Sequence, residues 1–213
     1  MDAKHSALKS LAPPRQQNLQ TALARAVEAL REQPQQQMEW LGAKHLAPGL
    51  WQVAVLGEPL LVNVASGVVC SGTGQEASLS WRILVLHYLG VHVRPPSCPP
   101  EISFADIPDA RTYAPVYQGR VIGRLCATAG RDLARLRAGA LGVRAEPVAG
   151  GDAAFDLAAF PRITMRLIWH AADAEFPPSA TLLMPRNIES FFCIEDVVVL
   201  SEGIVSRLCG RPF

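Results

Sequence analysis

Four side chains at the end of one alternating run are of the types from which binding and catalytic sites are made. Residues 162–178 read Arg-Ile-Thr-Met-Arg-Leu-Ile-Trp-His-Ala-Ala-Asp-Ala-Glu-Phe-Pro-Pro. Trp169, His170, Asp173 and Glu175 therefore follow a strand pattern, and Pro177-Pro178 stop any regular structure. One imidazole and two carboxylates in so short a stretch can converge on a hard or borderline metal ion. The two carboxylates can also divide acid and base duties, provided burial separates their pKa values. The spacing fits both chemistries and specifies neither. A metal triad needs a further ligand from elsewhere, and solvated acids, or acids paired with Arg166 or Arg186, account for the same residues with no function at all.

His87 is the candidate for that further ligand. It lies in Trp81-Arg82-Ile83-Leu84-Val85-Leu86-His87-Tyr88-Leu89, and a histidine among apolar side chains must find a hydrogen-bond partner or lose its charge. His92 is a weaker candidate. Glu195 and Asp196 sit where carboxylates favourably oppose a helix dipole without any function. Ser71-Gly72-Thr73-Gly74 opens toward a helix and can offer backbone N–H groups to a phosphate. It lacks the Lys-Ser/Thr of a P-loop and the third glycine of a dinucleotide fingerprint. There is no Gly-x-Ser-x-Gly elbow and no Cys-x-x-Cys pair among the five cysteines. An odd, scattered set of that kind reads as reduced thiols in a cytoplasmic protein, each a small buried side chain.

The elements that position these residues follow from periodicity. Leu19, Leu23, Ala26, Val27 and Leu30 make one helical stripe over 13–32, entered by Pro13-Pro14 and ended by the polar Gln33-Pro34-Gln35-Gln36-Gln37. Its apolar face must bury on its own core or on another chain. Leu50–Leu56 and Leu60–Val64 read as a hairpin turned by Gly57-Glu58-Pro59, with a third strand near Val68-Val69. Residues 76–89 read as a helix buried all round, the central core helix. Residues 93–100 hold four prolines and form a rigid irregular loop, before a short strand at Ile102–Phe104. Helix is expected over 113–140 with a break near Gly130, strands over 163–169 and 180–184, and a last helix over 190–208.

Strands come early and late with helices between them, which predicts an α+β fold with a mainly antiparallel sheet, a buried central helix and a C-terminal helix. The expected organisation is an N-terminal amphipathic helix and polar linker over 1–37, and a single core domain over 38–213. The chain is 49% hydrophobic and only 18% charged, with a net charge of +1. No global field favours nucleic acid or an anionic membrane, no apolar run approaches the length of a span, and the N-terminus lacks a signal-peptide core.

Several of these motifs together resemble one family. Ile83 to Leu89, Ile102-Ser103-Phe104 with Asp106-Ile107-Pro108 and Tyr113, Gly151-Asp152, Phe160-Pro161, and Trp169 through Pro177 resemble the bacterial and archaeal domain-of-unknown-function family 3786, over roughly Leu50 to Leu208. That family is uncharacterised, so no catalytic residue carries over. The resemblance implies context: such domains occur beside iron–sulfur modules and corrinoid-linked one-carbon enzymes, which makes a redox or corrinoid-linked protein a partner to expect. This chain departs from the pattern in three places. Its N-terminal arm has no cysteine, Ala174 thins the acidic motif, and His170 stands where a small residue is usual.

The reading favoured by the residues is a cytoplasmic accessory domain that binds a small ligand or cofactor of unknown identity, or docks on such a partner. Its site is expected between the core helix and the strand ending at Trp169, using His87, Trp169, Asp173, Glu175 and Arg162, with no metal. Trp169 would be an apolar wall, and the carboxylates would fix polar groups of the ligand. The alternatives are a metal-dependent hydrolase or other acid–base enzyme, with Asp173 or Glu175 as base, and a pure interaction module that docks through the 13–32 helix.

Overall fold

The computed structural model describes residues 16–213. The start of the expected N-terminal helix, residues 13–15, lies outside them. Helix α1 (Gln16–Leu30) and the short α2 (Gln35–Trp40) precede a four-stranded antiparallel sheet in sequential order: β1 (Lys44–Ala47), β2 (Leu50–Val55), β3 (Glu58–Asn63) and β4 (Val68–Cys70). Helix α3 (Leu79–Leu89) follows. The chain then makes β5 (Pro100–Ile102), 3-10 turns, α4 (Ala114–Tyr117), a π-helical turn over Gln118–Gly123, α5 (Arg124–Ala127) and α6 (Leu133–Gly142). Strands β6 (Glu146–Val148), β7 (Ala153–Phe160), β8 (Ile163–His170) and β9 (Ser179–Pro185) join β5 in a second antiparallel sheet, ordered β5-β9-β8-β7-β6. Helix α7 (Ile194–Leu208) ends the fold. This is the α+β architecture expected from the order of elements, with two antiparallel sheets in place of one.

The core forms around α3, whose Trp81, Ile83, Leu84, Val85, Leu86, Tyr88 and Leu89 are all buried. A helix with no polar stripe has nowhere to lie except between layers. It starts later than its apolar pattern suggests. Glu76 bridges to Cys70, and Ala77 N–H donates to Val69 O at 2.8 Å, so residues up to 77 still belong to the edge of β4. The stripe of α1 buries Leu23, Ala26 and Leu30 in this same core. Its apolar face is thus covered by its own chain.

Two hairpins set the sheets. Val55 pairs with Glu58, leaving Leu56-Gly57 as a two-residue loop with φ of 47° and 74°. Paired positive φ values suit the twist of a tight hairpin but are costly at a leucine. Burial of the Leu56 side chain offsets that cost, and its N–H donates to Ala158 O at 3.0 Å, which ties the first sheet to β7. The turn therefore falls one residue earlier than Gly57-Glu58-Pro59 suggests. In the second sheet, β8 alternates strictly, with Ile163, Met165, Leu167 and Trp169 buried. Strand β1 escaped the sequence reading because it is a nearly all-exposed edge strand with no alternation to see.

Candidate functional site

The five side chains expected to share one pocket are divided between two ends of the molecule. Arg162 lies in the turn just before β8, and Trp169 is the next-to-last residue of that strand. Seven residue steps at about 3.3 Å each put them roughly 23 Å apart. Helix α3 reaches the Arg162 end, because the Tyr88 hydroxyl accepts from Arg162 N–H at 3.2 Å and donates to Leu41 O at 2.7 Å. Burial pushes that phenol well above its usual pKa, so it remains a neutral hydrogen-bonding post.

His87, one residue before it, turns to α7. Its Nδ1 lies 2.8 Å from Asp196 Oδ2, with the histidine side chain one-third exposed and the carboxylate 14% exposed. The imidazole thus finds the partner that its surroundings demand, and that partner is Asp196, not Asp173 or Glu175.

At the other end of β8, Trp169 is core. Its indole N–H donates to Gly130 O at 2.7 Å, and the ring is buried. It pins the break between α5 and α6 to the sheet. Asp173 and Glu175 lie on the exposed β8–β9 loop. Asp173 Oδ1 accepts from the N–H groups of Glu175 and Phe176, both at 2.8 Å. These two bonds hold its carboxyl below the usual carboxylate range. His170 Nδ1 is 3.9 Å from Asp152 Oδ2, and both are well exposed. The expected convergence of His87, Trp169, Asp173, Glu175 and Arg162 is thus not formed. Packing each into its own element took the polar groups apart.

Among the described residues, no group of three or more His, Cys, Asp or Glu side chains is placed to hold a metal ion. All five cysteines are free thiols. Burial pushes the thiols of Cys126 and Cys193 up, which lowers the fraction present as nucleophilic thiolate.

A concavity of ligand-sized dimensions lies elsewhere, between the α1–α2 corner and the β1–β2 edge of the first sheet. It is a groove of about 400 Å³, within the range of roughly 300–1,000 Å³ usual for small-molecule sites. Leu30, Met38, Trp51 and Val64 supply apolar surface, and Gln33 and His45 supply polar groups. The His45 and Trp51 rings meet at 4.9 Å and 56°.

Gln33 is the unusual member of this lining. It is 9% exposed, and its Nε2 donates to Leu89 O, at the last residue of α3, at 2.6 Å and to Val91 O, just beyond, at 2.9 Å. Two acceptors fix which end of the amide faces them, so Oε1 points away from both. That oxygen is buried and has no hydrogen-bond partner. Four residues on, in α2, Gln37 donates to Val91 O at 2.9 Å and Val93 O at 3.0 Å. The stretch that reads as a polar linker is therefore a buried glutamine clamp. Gln33 lies in the non-helical link before α2 and Pro34 after it is extended, so no helical period joins Gln33 to Gln37 and no local pattern marks the clamp.

The chain matches, over residues 33–207, the model of a family described as Domain of unknown function (DUF3786). It belongs to that family. The matched region starts at the glutamine clamp and ends in α7, so it includes the groove's α2, β1 and β2 walls as well as the motifs around α3 and β8. No curated protein and no solved structure matches the chain. Among the described residues, no helix is long and apolar enough to cross a membrane.

Proposed function

We propose that this chain is a cytoplasmic, non-catalytic accessory domain that binds a small ligand in the groove between the α1–α2 corner and the first sheet. The observation that carries this reading is a groove of ligand-sized volume lined by Leu30, Met38 and Trp51 beside the polar Gln33 and His45. The apolar faces of Leu30, Met38 and Trp51 call for a flat, largely apolar body. The ligand class is therefore a compact aromatic or heterocyclic molecule with at least one hydrogen-bonding group to meet the polar side of the lining, where His45 and Gln33 lie. The five free thiols accord with a reducing compartment.

Ala65 lines the groove and is exposed, so Ala65→Phe fills the space without disturbing the core. Native mass spectrometry of the chain purified from its own host is expected to show a retained small molecule on the wild type. The same measurement on Ala65→Phe should show none, at an unchanged thermal midpoint. If the wild type carries nothing and heteroaromatic fragments leave the His45 and Trp51 ring resonances unmoved, the reading fails.

A further inference from the structure

The outer side of α2 carries a second set of residues that the groove does not use. Trp40, half-buried at the end of α2, has two guanidinium groups near its ring: Arg162 Cζ is 4.5 Å from the ring centroid and Arg94 Cζ is 5.9 Å. Both are oriented through Nε. Arg162 Nε donates to Trp40 O at 2.8 Å, and Arg94 Nε donates to Gln37 Oε1 at 2.8 Å. Arg94 adds only a long 3.4 Å contact from Nη2 to Gln36 O. Gln37 is itself 6% exposed and anchored on two main-chain carbonyls, so Arg94 is held by a group that cannot readily move.

Neither arginine forms an ion pair with a carboxylate among the described residues, whereas Arg82, Arg120, Arg166, Arg186 and Arg207 all do. Holding an arginine still costs on the order of 2 kcal/mol of rotamer entropy. Two arginines held still, charged and without a counter-ion make a pre-organised receptor for oxyanions. The loop that presents Arg94 is stiff as well. It contains Pro95, Pro96, Pro99 and Pro100, and Asn187 Nδ2 fastens it at Pro96 O with a 2.8 Å bond. Val93, next to Arg94, is a large apolar side chain left 55% exposed.

We propose that Trp40, Arg94, Arg162 and Val93 form a docking site for an acidic segment of a partner protein. Charge alone would suit any oxyanion. The added tryptophan face and exposed valine call for carboxylates interleaved with apolar side chains, and tryptophan and arginine are the residue types that dominate protein interfaces energetically. Prior immobilisation lowers the ordering cost of docking. The site shares no side chain with the groove lining, so either can fail without the other.

The test uses the full chain, isotope-labelled for NMR, with a peptide of sequence Glu-Glu-Leu-Glu-Glu-Leu. Controls are the same peptide with lysine for glutamate, and inorganic phosphate. The acidic peptide is expected to shift the Trp40 indole and the Arg94 and Arg162 Nε–H signals, and the lysine peptide is not. Arg94→Gln and Arg162→Gln should each weaken binding by about tenfold or more, as expected for loss of hydrogen bonds to a charged group. Val93→Asp leaves the arginine–tryptophan stack untouched and should abolish binding by repulsion, at an unchanged thermal midpoint. Undiminished peptide binding by Val93→Asp and by Arg94→Gln overturns the proposal. So does phosphate that produces the same shifts and fully displaces the peptide, which would mark a plain anion site.

Discussion

A carboxylate that accepts two main-chain N–H groups ionises more easily than one in water, and Asp173 is in that position. Its pKa in the folded chain is below the ordinary 3.8. The linked stabilisation of the β8–β9 loop is therefore fully present above 3.8 and is lost as pH falls through the lowered folded value. The Asp173 side-chain carboxyl resonance is expected to titrate with a midpoint below 3.8, and protection of the Glu175 and Phe176 amides should fall over the same interval. A midpoint at or above 3.8 would show that the turn does not form. A general base works best with a pKa near the operating pH, and an exposed carboxylate shifted downward is a poor one. Asp173 is accounted for as the hinge pin of a turn that presents Phe176, itself 66% exposed. The residue types around Trp169 were legible in the sequence. That Asp173 spends its oxygen on its own loop depends on backbone geometry that residue type does not specify.

Helix contacts in this fold are close enough that two glycines act as spacers. A Cβ on Gly139 of α6 would collide with the main-chain carbonyl of Leu208 in α7, and one on Gly203 would lie 2.6 Å from the Trp81 ring on α3. A Cβ on Gly142, at the end of α6, meets nothing within 4 Å. Gly139→Ala is therefore expected to lower unfolding stability by about 1–3 kcal/mol through overpacking, and Gly203→Ala to do so through displacement of Trp81. Gly142→Ala should be neutral or stabilising by up to about 1 kcal/mol, from helix propensity. Urea midpoints of the three variants check this ranking, and equal stabilities would rule out close contact of α7 with α6 and α3. At this scale the sequence was informative about existence and type. The apolar run of α3, the stripe of α7 and the alternation of β8 each stand out, because burial imposes a local period. Boundaries slipped where a neighbour intervened: α3 begins after residues 75–77 finish pairing beside β4, and α7 begins at Ile194 after a 3-10 turn over Ile188–Ser190.

For the molecule as a whole, α1 and α2 are structural members and not an appended arm. Leu23, Ala26, Leu30 and Met38 are buried in the core, and the glutamine clamp serves the carbonyls that follow α3. Removal of residues 1–37 would strip about 1.5–3 kcal/mol for each large apolar side chain lost and leave the Val91 and Val93 carbonyls without their donors. That truncation is expected to yield an insoluble or non-cooperatively melting product by circular dichroism. A folded, cooperative 38–213 fragment would restore the view of the first helix as a detachable docking element. The sequence by itself determined the types of the strongly periodic elements, the α+β class and the family likeness, because local periodicity and short motifs reflect which face of each element meets a core. Only the tertiary structure decided the partners. His87 meets Asp196 across 109 residues, and Gln33 reaches Leu89 across 56. A polar side chain is satisfied by whichever group packing brings within about 3 Å, and no local pattern records that choice. For the same reason, five residues that look like one site in sequence lie apart, while a groove and a cationic patch form around a stretch that reads as a linker.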